Sequence, residues 1–383
     1  MQGIFNKLQG DRTIWLIVMM LSIFSLLAVY SSTGTLAFKQ QGGDTEYYLF
    51  RHLFLLGGGL VLMYIAHRIN FNYYSRIAQL LLYISVPLLL ITLAFGTDIH
   101  DARRWLTVPI IDISFQTSDL AKLALIMYTA RVLSRKQHII EDFDQGFLPV
   151  IIPVLLVCIL IMPADLSSSL LLFFTCMILM FIGRVQLKHM GIAVWVGATI
   201  FIMVIFVASL TSYEGRLGTW KNRIANFMDD EKGDSYQVVQ SKIAIANGGL
   251  IRLAPGKSVQ RNFLPHPYSD FIYAIIIEEY GLFGGLMVMI LYLWLLQRAI
   301  RIFVKSPGAF GALLAVGLAI SLVIQAMMNM AVTVDLLPVT GLTLPLISMG
   351  GTSLLFTSFS IGIILSVSRF IEDKESNLPM IAA

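Results

Sequence analysis

One acid stands out by its position. In the stretch Asn262 to Gly281, read as NFLPHPYSDFIYAIIIEEYG, Asp270 lies where a long polar segment runs into an apolar helix. A carboxylate at a membrane surface, at a helix start and near basic residues and a Trp, is placed to take a proton from a substrate hydroxyl. The same place suits a simple cap, because the short side chain of Ser269 or Asp270 can accept from free N–H groups of a first helical turn. On local pattern both readings stand.

Other residues offer chemistry of their own. Asp119 and Lys122 are three apart in a largely apolar stretch. That spacing puts them on one helix face, where pairing lowers the cost of holding ions at membrane depth. Such a pair can be a structural bridge or line a cavity. Glu278 and Glu279 follow Asp270 by about two turns, where one of them can face the bundle as a proton relay. Arg103, Arg104 and Trp105 form a compact cation–aromatic set; a guanidinium fork fits phosphate oxygens, and Trp also favours the interface for its own sake. His266 could titrate beside Asp270 or be simply solvated. Gly57 to Gly59 lack a phosphate-loop context, and Gly281 with Gly285 fits helix packing through small residues.

These side chains need a scaffold, and composition names its class. Of 383 residues 57% are hydrophobic and 13% charged, with a mean hydropathy of +0.78. That is too little polar surface for a soluble globule, so the fold expected is an all-α integral membrane protein. Apolar runs long enough to cross about 30 Å of hydrocarbon fall near 14–31, 50–66, 78–96, 117–133, 147–163, 166–183, 189–209, 270–297, 309–332 and 343–368. They make a bundle of about ten transmembrane helices with both termini in the cytoplasm.

Charge placement tests that count. The segments on the inner side carry 14 Lys and Arg against 4 in the short outer loops, the bias expected of cytoplasmic loops. Residues 210–269 hold eight more and face outward by parity, as one large extracytoplasmic loop between helices 7 and 8. Within that loop 213–228 reads as an amphipathic interfacial helix, and the Gly-rich 247–256 as irregular. No repeat or linker divides the chain, so 1–383 is one polytopic domain with 210–269 inserted in it. The net charge of +4 is spread over loops rather than gathered in a stripe, which argues against nucleic acid. Cys158 and Cys176 lie in apolar runs and read as buried hydrophobes, not a disulfide or zinc site. With no Walker-type loop, H-E-x-x-H or dinucleotide fingerprint, ATP-driven transport and zinc proteolysis lose their support.

Several ordered motifs run almost end to end: Arg103-Arg104-Trp105; Phe115-Gln116-Thr117-Ser118-Asp119-Leu120-Ala121-Lys122; Pro163-Ala164-Asp165-Leu166; Tyr236-Gln237 through Gln240-Ser241; Gly256-Lys257-Ser258-Val259-Gln260; Ser269-Asp270-Phe271-Ile272; and Pro338 through Ser353, PVTGLTLPLISMGGTS. In these the chain resembles the FtsW/RodA (SEDS) family, with wording closer to the division branch FtsW than to the elongation branch RodA. It departs from the family pattern at Met162-Pro163-Ala164-Asp165-Leu166-Ser167, at Ser118-Asp119 and at Met349.

The resemblance implies a peptidoglycan glycosyltransferase that polymerises lipid II at the outer face of the cytoplasmic membrane, at the division septum. Its expected partners are a class B penicillin-binding protein of the FtsI type, other divisome proteins and membrane lipids. Asp270 matches the family's essential acid, and Trp105, Lys122 and Asp165 fall on positions its motifs also single out. The departing diphosphate would need positive charge, for which Arg103, Arg104, Arg216, Arg223, Lys242 and Lys257 are candidates. A divalent cation, Mg2+ or Mn2+, could share the work, with Asp270 as its ligand rather than as base, although no metal cage is legible. The rival readings are a lipid II flippase gated by Asp119, Lys122 and Glu278, an elongation-type RodA polymerase, and a noncatalytic scaffold.

Overall fold

The computed structural model describes residues 9–34, 36, 45–99, 102–108, 113–210 and 236–376. Its helices are α1 (Arg12–Ser32), α2 (Thr45–Arg68), α3 (Phe71–Phe95), α4 (Thr117–Arg135), α5 (Leu148–Ile161), α6 (Leu166–Ile182), α7 (Leu187–Leu210), α8 (Tyr236–Gly248), α9 (Ile272–Lys305), α10 (Ala309–Thr333) and α11 (Thr352–Ser376). Among the described residues, eight helices are long and apolar enough to cross a membrane, α5 reaching that length together with its preceding π-helical turn, Phe143–Phe147. The two that fall short among the expected spans are α4, which carries Asp119, Lys122, Arg131 and Arg135, and the 17-residue α6. With them every expected span meets a helix, and α8 is the helix outside that set.

Local chemistry sets the ends. Asp11, Asn70 and Asp165 each accept a hydrogen bond from a first-turn N–H of α1, α3 and α6, as short oxygen side chains do. Pro149 falls in the first turn of α5, where its missing N–H costs nothing. Small residues bring helices close: a Cβ on Gly59 would run into Leu354 and Ser358, and one on Gly362 into the Met63 carbonyl. That seam joins α2 to α11, the small-residue packing that substitutes for the hydrophobic effect between helices in lipid. At one end of the bundle Arg298 grips Asp11 through Nε and Nη2 at 2.6 and 2.5 Å. Gly10 N–H donates to Glu372 and Asp11 N–H to Ser368, so the start of α1 is tied to the ends of α9 and α11.

The structure corrects the expected scaffold in four places. The helical bundle carries one addition: three short antiparallel strands, β1 (Thr97–Ile99), β2 (Ala102–Val108) and β3 (Ile113–Gln116), lie in the connection between α3 and α4. The last span starts at Thr352 rather than near 343, because Pro338, Gly341, Pro345 and the Gly350-Gly351 pair keep 338–351 out of helix. Helical structure after the long connection begins at Ile272 and continues to Lys305. The Gly-rich stretch is helical as far as Gly248 and irregular beyond. The proposed interfacial helix at 213–228 lies outside the described residues.

Gly281 is not an ordinary packing glycine. Its φ of 73° and ψ of −178° interrupt α9, a conformation essentially reserved for Gly. Leu282 N–H and Phe283 N–H turn instead to the carbonyls of Gly249 and Leu250. A Cβ at Gly281 would lie 2.7 Å from the Leu250 oxygen and 2.8 Å from the Arg252 nitrogen. The segment after α8 thus occupies the gap in α9, and α8 itself lies along the first part of α9. Gly281→Ala is expected to destabilise the protein by roughly 2 kcal/mol or more, read as a lowered Tm in detergent. An unchanged Tm would show that the segment 249–252 does not fill the break.

Candidate functional site

Non-helical backbone at membrane depth is tolerated only where protein satisfies its polar groups. In the segment 338–351 five carbonyls take side-chain donors from four helices. Thr340 O accepts from Ser167 of α6 and Thr343 O from Gln325 of α10. Pro345 O accepts from Tyr292 of α9, and Ile347 O from Ser25 of α1. Leu342 O accepts from Asn329 Nδ2 at 2.7 Å. Leaving even one such group unpaired costs roughly 1–3 kcal/mol, so these donors fix the path of the segment. Ser25 is itself held at 2.7 Å by the buried ring of His52.

Asp270 is built onto this segment. Asn329 uses the same Nδ2 to donate to Asp270 O at 2.8 Å. Met349 N–H donates to Tyr268 O at 2.9 Å, and Ser348 Oγ to Ser269 O at 2.7 Å. Beneath, Phe271, Ala274 and Ile275 pack with Ala244 of α8 and Leu264. The backbone on both sides of the acid is therefore fixed while its side chain stays partly exposed. Ser269 Oγ donates to Asp270 Oδ1 at 2.9 Å. The other oxygen lies above Gly341, whose absent Cβ would stand 3.7 Å from Oδ2. The cap reading fails: α9 begins beyond Asp270, with Phe271 at its N-cap and no side-chain cap bond. Capping does not explain this acid.

Two groups flank it. Burial, then the neighbouring Tyr48 and Asp270, push the Tyr268 phenol above its ordinary value, so it stays protonated. Its oxygen lies 3.2 Å from His266 Nδ1. His266 is held at φ 52°, a left-handed conformation that His adopts more readily than most residues with a side chain.

The intramembrane pair forms as its spacing implies: Lys122 Nζ lies 2.7 Å from Asp119 Oδ1, with side chains 13% and 8% exposed. It borders a polar cavity between α4, α10 and α11, with Ser321, Gln325, Ser353 and Thr357 among the walls. Gln325 faces this cavity and holds Thr343, whereas Asn329, one turn along α10, holds Asp270. The cavity beside the pair and the backbone of the acid thus meet the same helix, at residues about 6 Å apart along its axis at 1.5 Å per residue.

The remaining candidates divide. Trp105 lies on β2 opposite Gln116, the residue before α4, and Gln116 N–H reaches Thr352 at the start of α11. Arg103 and Arg104 share that strand, but their side chains, like all of Arg216 and Arg223, lie outside the described residues. Asp165 is 3% exposed and its oxygens accept from Ser168 N–H and Ser168 Oγ, which makes it the N-cap of α6. Lys242 pairs with Asp335 at 2.5 Å. Lys257 is exposed on the turn before Ser258. Glu278 and Glu279, each 1% exposed, have their oxygens engaged by that turn. Glu278 accepts from Ser258 Oγ, Val259 N–H and Gln260 N–H, and Glu279 from Ser31 Oγ and Ser258 N–H. Arg261 adds bonds to Ser31 O and Gly256 O. The two glutamates are anchors for the G-K-S-V-Q turn, which replaces the relay reading.

Asn329, Gln325 and Tyr268 were not singled out in the sequence. Two amide residues four apart in an otherwise apolar helix were the available signal, since polar groups inside a membrane helix are there to bond something. Among the described residues no three His, Cys, Asp or Glu side chains converge on one point. A cation at Asp270 would have to take its other ligands from diphosphate and water, a donor set that Mg2+ accepts.

Two stability experiments test this geometry. Asn329→Asp keeps the shape but removes both donated bonds, and is expected to cost about 1–3 kcal/mol; a Tm equal to wild type would refute the clamp. Removing one member of the buried ion pair, by Lys122→Met or Asp119→Leu, should cost about 3 kcal/mol or more, and the double variant should recover most of it. Additive losses in that cycle would mean the two groups do not interact.

With the geometry in hand, the chain can be set beside known proteins. The family described as "Cell cycle protein", FtsW/RodA/SpoVE, matches residues 11–373. Stage V sporulation protein E of Bacillus subtilis (strain 168) is 32% identical over 374 residues, covering 95% of this chain and 98% of the relative. The probable peptidoglycan glycosyltransferase FtsW of Coxiella burnetii is 32% identical over 372 residues, covering 94% and 96%. Among solved structures, a chain of the peptidoglycan synthase complex described under "Structural coordination of polymerization and crosslinking" superposes with a TM-score of 0.74 at 24% identity, covering 94% of this chain and 98% of that one. The rod shape determining protein RodA of Thermus thermophilus gives 0.69 at 24%, covering 95% and 98%. The structural likenesses establish a shared helical membrane fold, and the sequence match over nearly the whole length places this chain in the FtsW/RodA/SpoVE family.

Proposed function

We propose that this integral membrane protein is a peptidoglycan glycosyltransferase that polymerises lipid II at the outer face of the cytoplasmic membrane, with Asp270 as its general base. The observation that carries the assignment of the base is the fixed backbone around a partly exposed carboxylate that caps no helix. Relatives at about one-third identity are named as probable enzymes of this activity, which supports the reaction class.

In the proposed step Asp270 takes the proton from the 4-hydroxyl of an incoming sugar. The freed oxygen bonds to the anomeric carbon of the growing chain as the bond from that carbon to the lipid diphosphate breaks. One displacement inverts the anomeric centre, unlike the two-step course of a retaining enzyme. Asp270 then returns its proton to solvent. A divalent cation, when bound, would neutralise charge on the leaving diphosphate, with Asp270 as its protein ligand in that arrangement. Arg103, Arg104 and Trp105 lie on β2, which pairs with the strand that leads into α4, and a guanidinium fork suits the phosphate oxygens of a headgroup. The likeness to a chain from a complex of polymerisation and crosslinking supports a penicillin-binding transpeptidase as partner, and FtsW-named relatives support a role in division.

The test is lipid II polymerisation by the purified protein, alone and with its cognate transpeptidase carrying an inactivated crosslinking site. Asp270→Asn is expected to lose about 10²- to 10⁴-fold in rate, the range for a general base, while keeping the wild-type Tm. Equal product from both proteins would remove the acid from the chemistry. If neither polymerised with the partner present, while both moved lipid II across vesicle membranes, the polar cavity at Lys122 would belong to a transporter instead.

A further inference from the structure

A second pocket lies at the opposite end of the bundle from Asp270. A cavity of about 450 Å³ opens where the ends of α4 and α6 meet the turn between α9 and α10. Its walls are of two kinds. Leu133, Ile182, Phe303 and Leu313 form an apolar floor, and His138 and Arg184 stand at the exposed rim. The size is that of a small-ligand site, and the lining suits a molecule with one anionic end and one hydrocarbon end.

Arg184 has a further peculiarity. Helix α6 closes with Gly183 N–H on Leu179 O, Arg184 N–H on Phe181 O and Val185 N–H on Met180 O. In that kind of terminus the residue after the cap adopts the left-handed conformation and is usually Gly. Gly183 stands one place too early, and Arg184 itself sits at φ 64°. A glycine would fit this position without strain, so the backbone holds a guanidinium at the pocket rim against its local preference. None of the described ion pairs engages it. The adjacent acids Glu141, Asp142 and Asp144 do not line the cavity, and Asp142 is occupied in capping Gln145.

The site also lies in the right field. Arg135, Lys136, Lys188, Arg301 and Lys305 cluster at this end of the bundle in sequence, the end that charge bias assigns to the cytoplasmic leaflet, where anionic lipids gather around basic pockets between helices. We infer that this cavity binds an anionic phospholipid, with the phosphate on Arg184 and His138 and the acyl chains against Leu133, Ile182, Phe303 and Leu313. It is distinct in place and chemistry from the Asp270 site.

The experiment reconstitutes the full-length protein in nanodiscs of phosphatidylcholine with or without phosphatidylglycerol, and reads Tm and retained lipid by native mass spectrometry. Wild type is expected to retain phosphatidylglycerol and to melt higher in its presence. Arg184→Ala should lose most of the retained lipid and the shift. Arg184→Gly is the sharper variant: by relieving the left-handed strain it should melt higher than wild type in phosphatidylcholine alone, yet show no phosphatidylglycerol shift. Equal retention by wild type and both variants would overturn the site. So would a full shift given by inorganic phosphate in phosphatidylcholine, which would assign the pocket to a soluble phosphate.

Discussion

The structure depends on a demand that lipid makes of any irregular backbone: each carbonyl must find a donor inside the protein. Between Thr340 and Ile347 five carbonyls meet it with side chains from α1, α6, α9 and α10. Four helices are thereby held in mutual register by one stretch of chain. Asp270 gains from the arrangement because the same amide that closes Leu342 also closes its own carbonyl. A carboxylate that must meet a hydroxyl within hydrogen-bond reach needs a backbone that does not wander, and here the backbone is immobilised by the solution to an unrelated problem.

Charge inside the bundle follows a similar economy. The ion pair of Asp119 and Lys122 offsets part of its own desolvation and leaves a polar wall beside the segment that carries Asp270's support. Glu278 and Glu279 offset theirs with hydroxyl and backbone donors from the Ser258 turn, and Arg261 stands nearby. In each case the acid is kept because something specific is bound to it, which is what burial of a carboxylate requires. The glutamates therefore act on the reaction only by fixing the turn that leads toward Asp270.

Much of this was legible in the sequence. Every expected span meets a helix because runs of apolar residues at bilayer length have few alternatives. Asp119 and Lys122 pair because three residues of helix leave them little else. What escaped was the structure that long-range hydrogen bonds create. Residues 343–351 are apolar enough to read as helix despite Pro345 and the Gly350-Gly351 pair, and the partners of their carbonyls, scattered from Ser25 to Gln325, support the irregular path. The strands at 97–116 escaped because a short sheet between two spans has no strong periodic signal. Gly281 read as packing because its positive φ depends on a segment thirty residues earlier. The family motif points to Asp165 and charge alone to Lys242, and the structure gives each a nearby partner in Ser168 and Asp335.

The order of these donors along the chain has a consequence for biogenesis. Ser25, Ser167, Tyr292, Gln325 and Asn329 all precede Thr340, and so does the acid they serve. A chain made from its N-terminus therefore synthesises every one of these donors before the carbonyl it serves. α11, which packs against α2 through Gly59 and Gly362, is made last. None of these carbonyls waits for a donor that is still to be made.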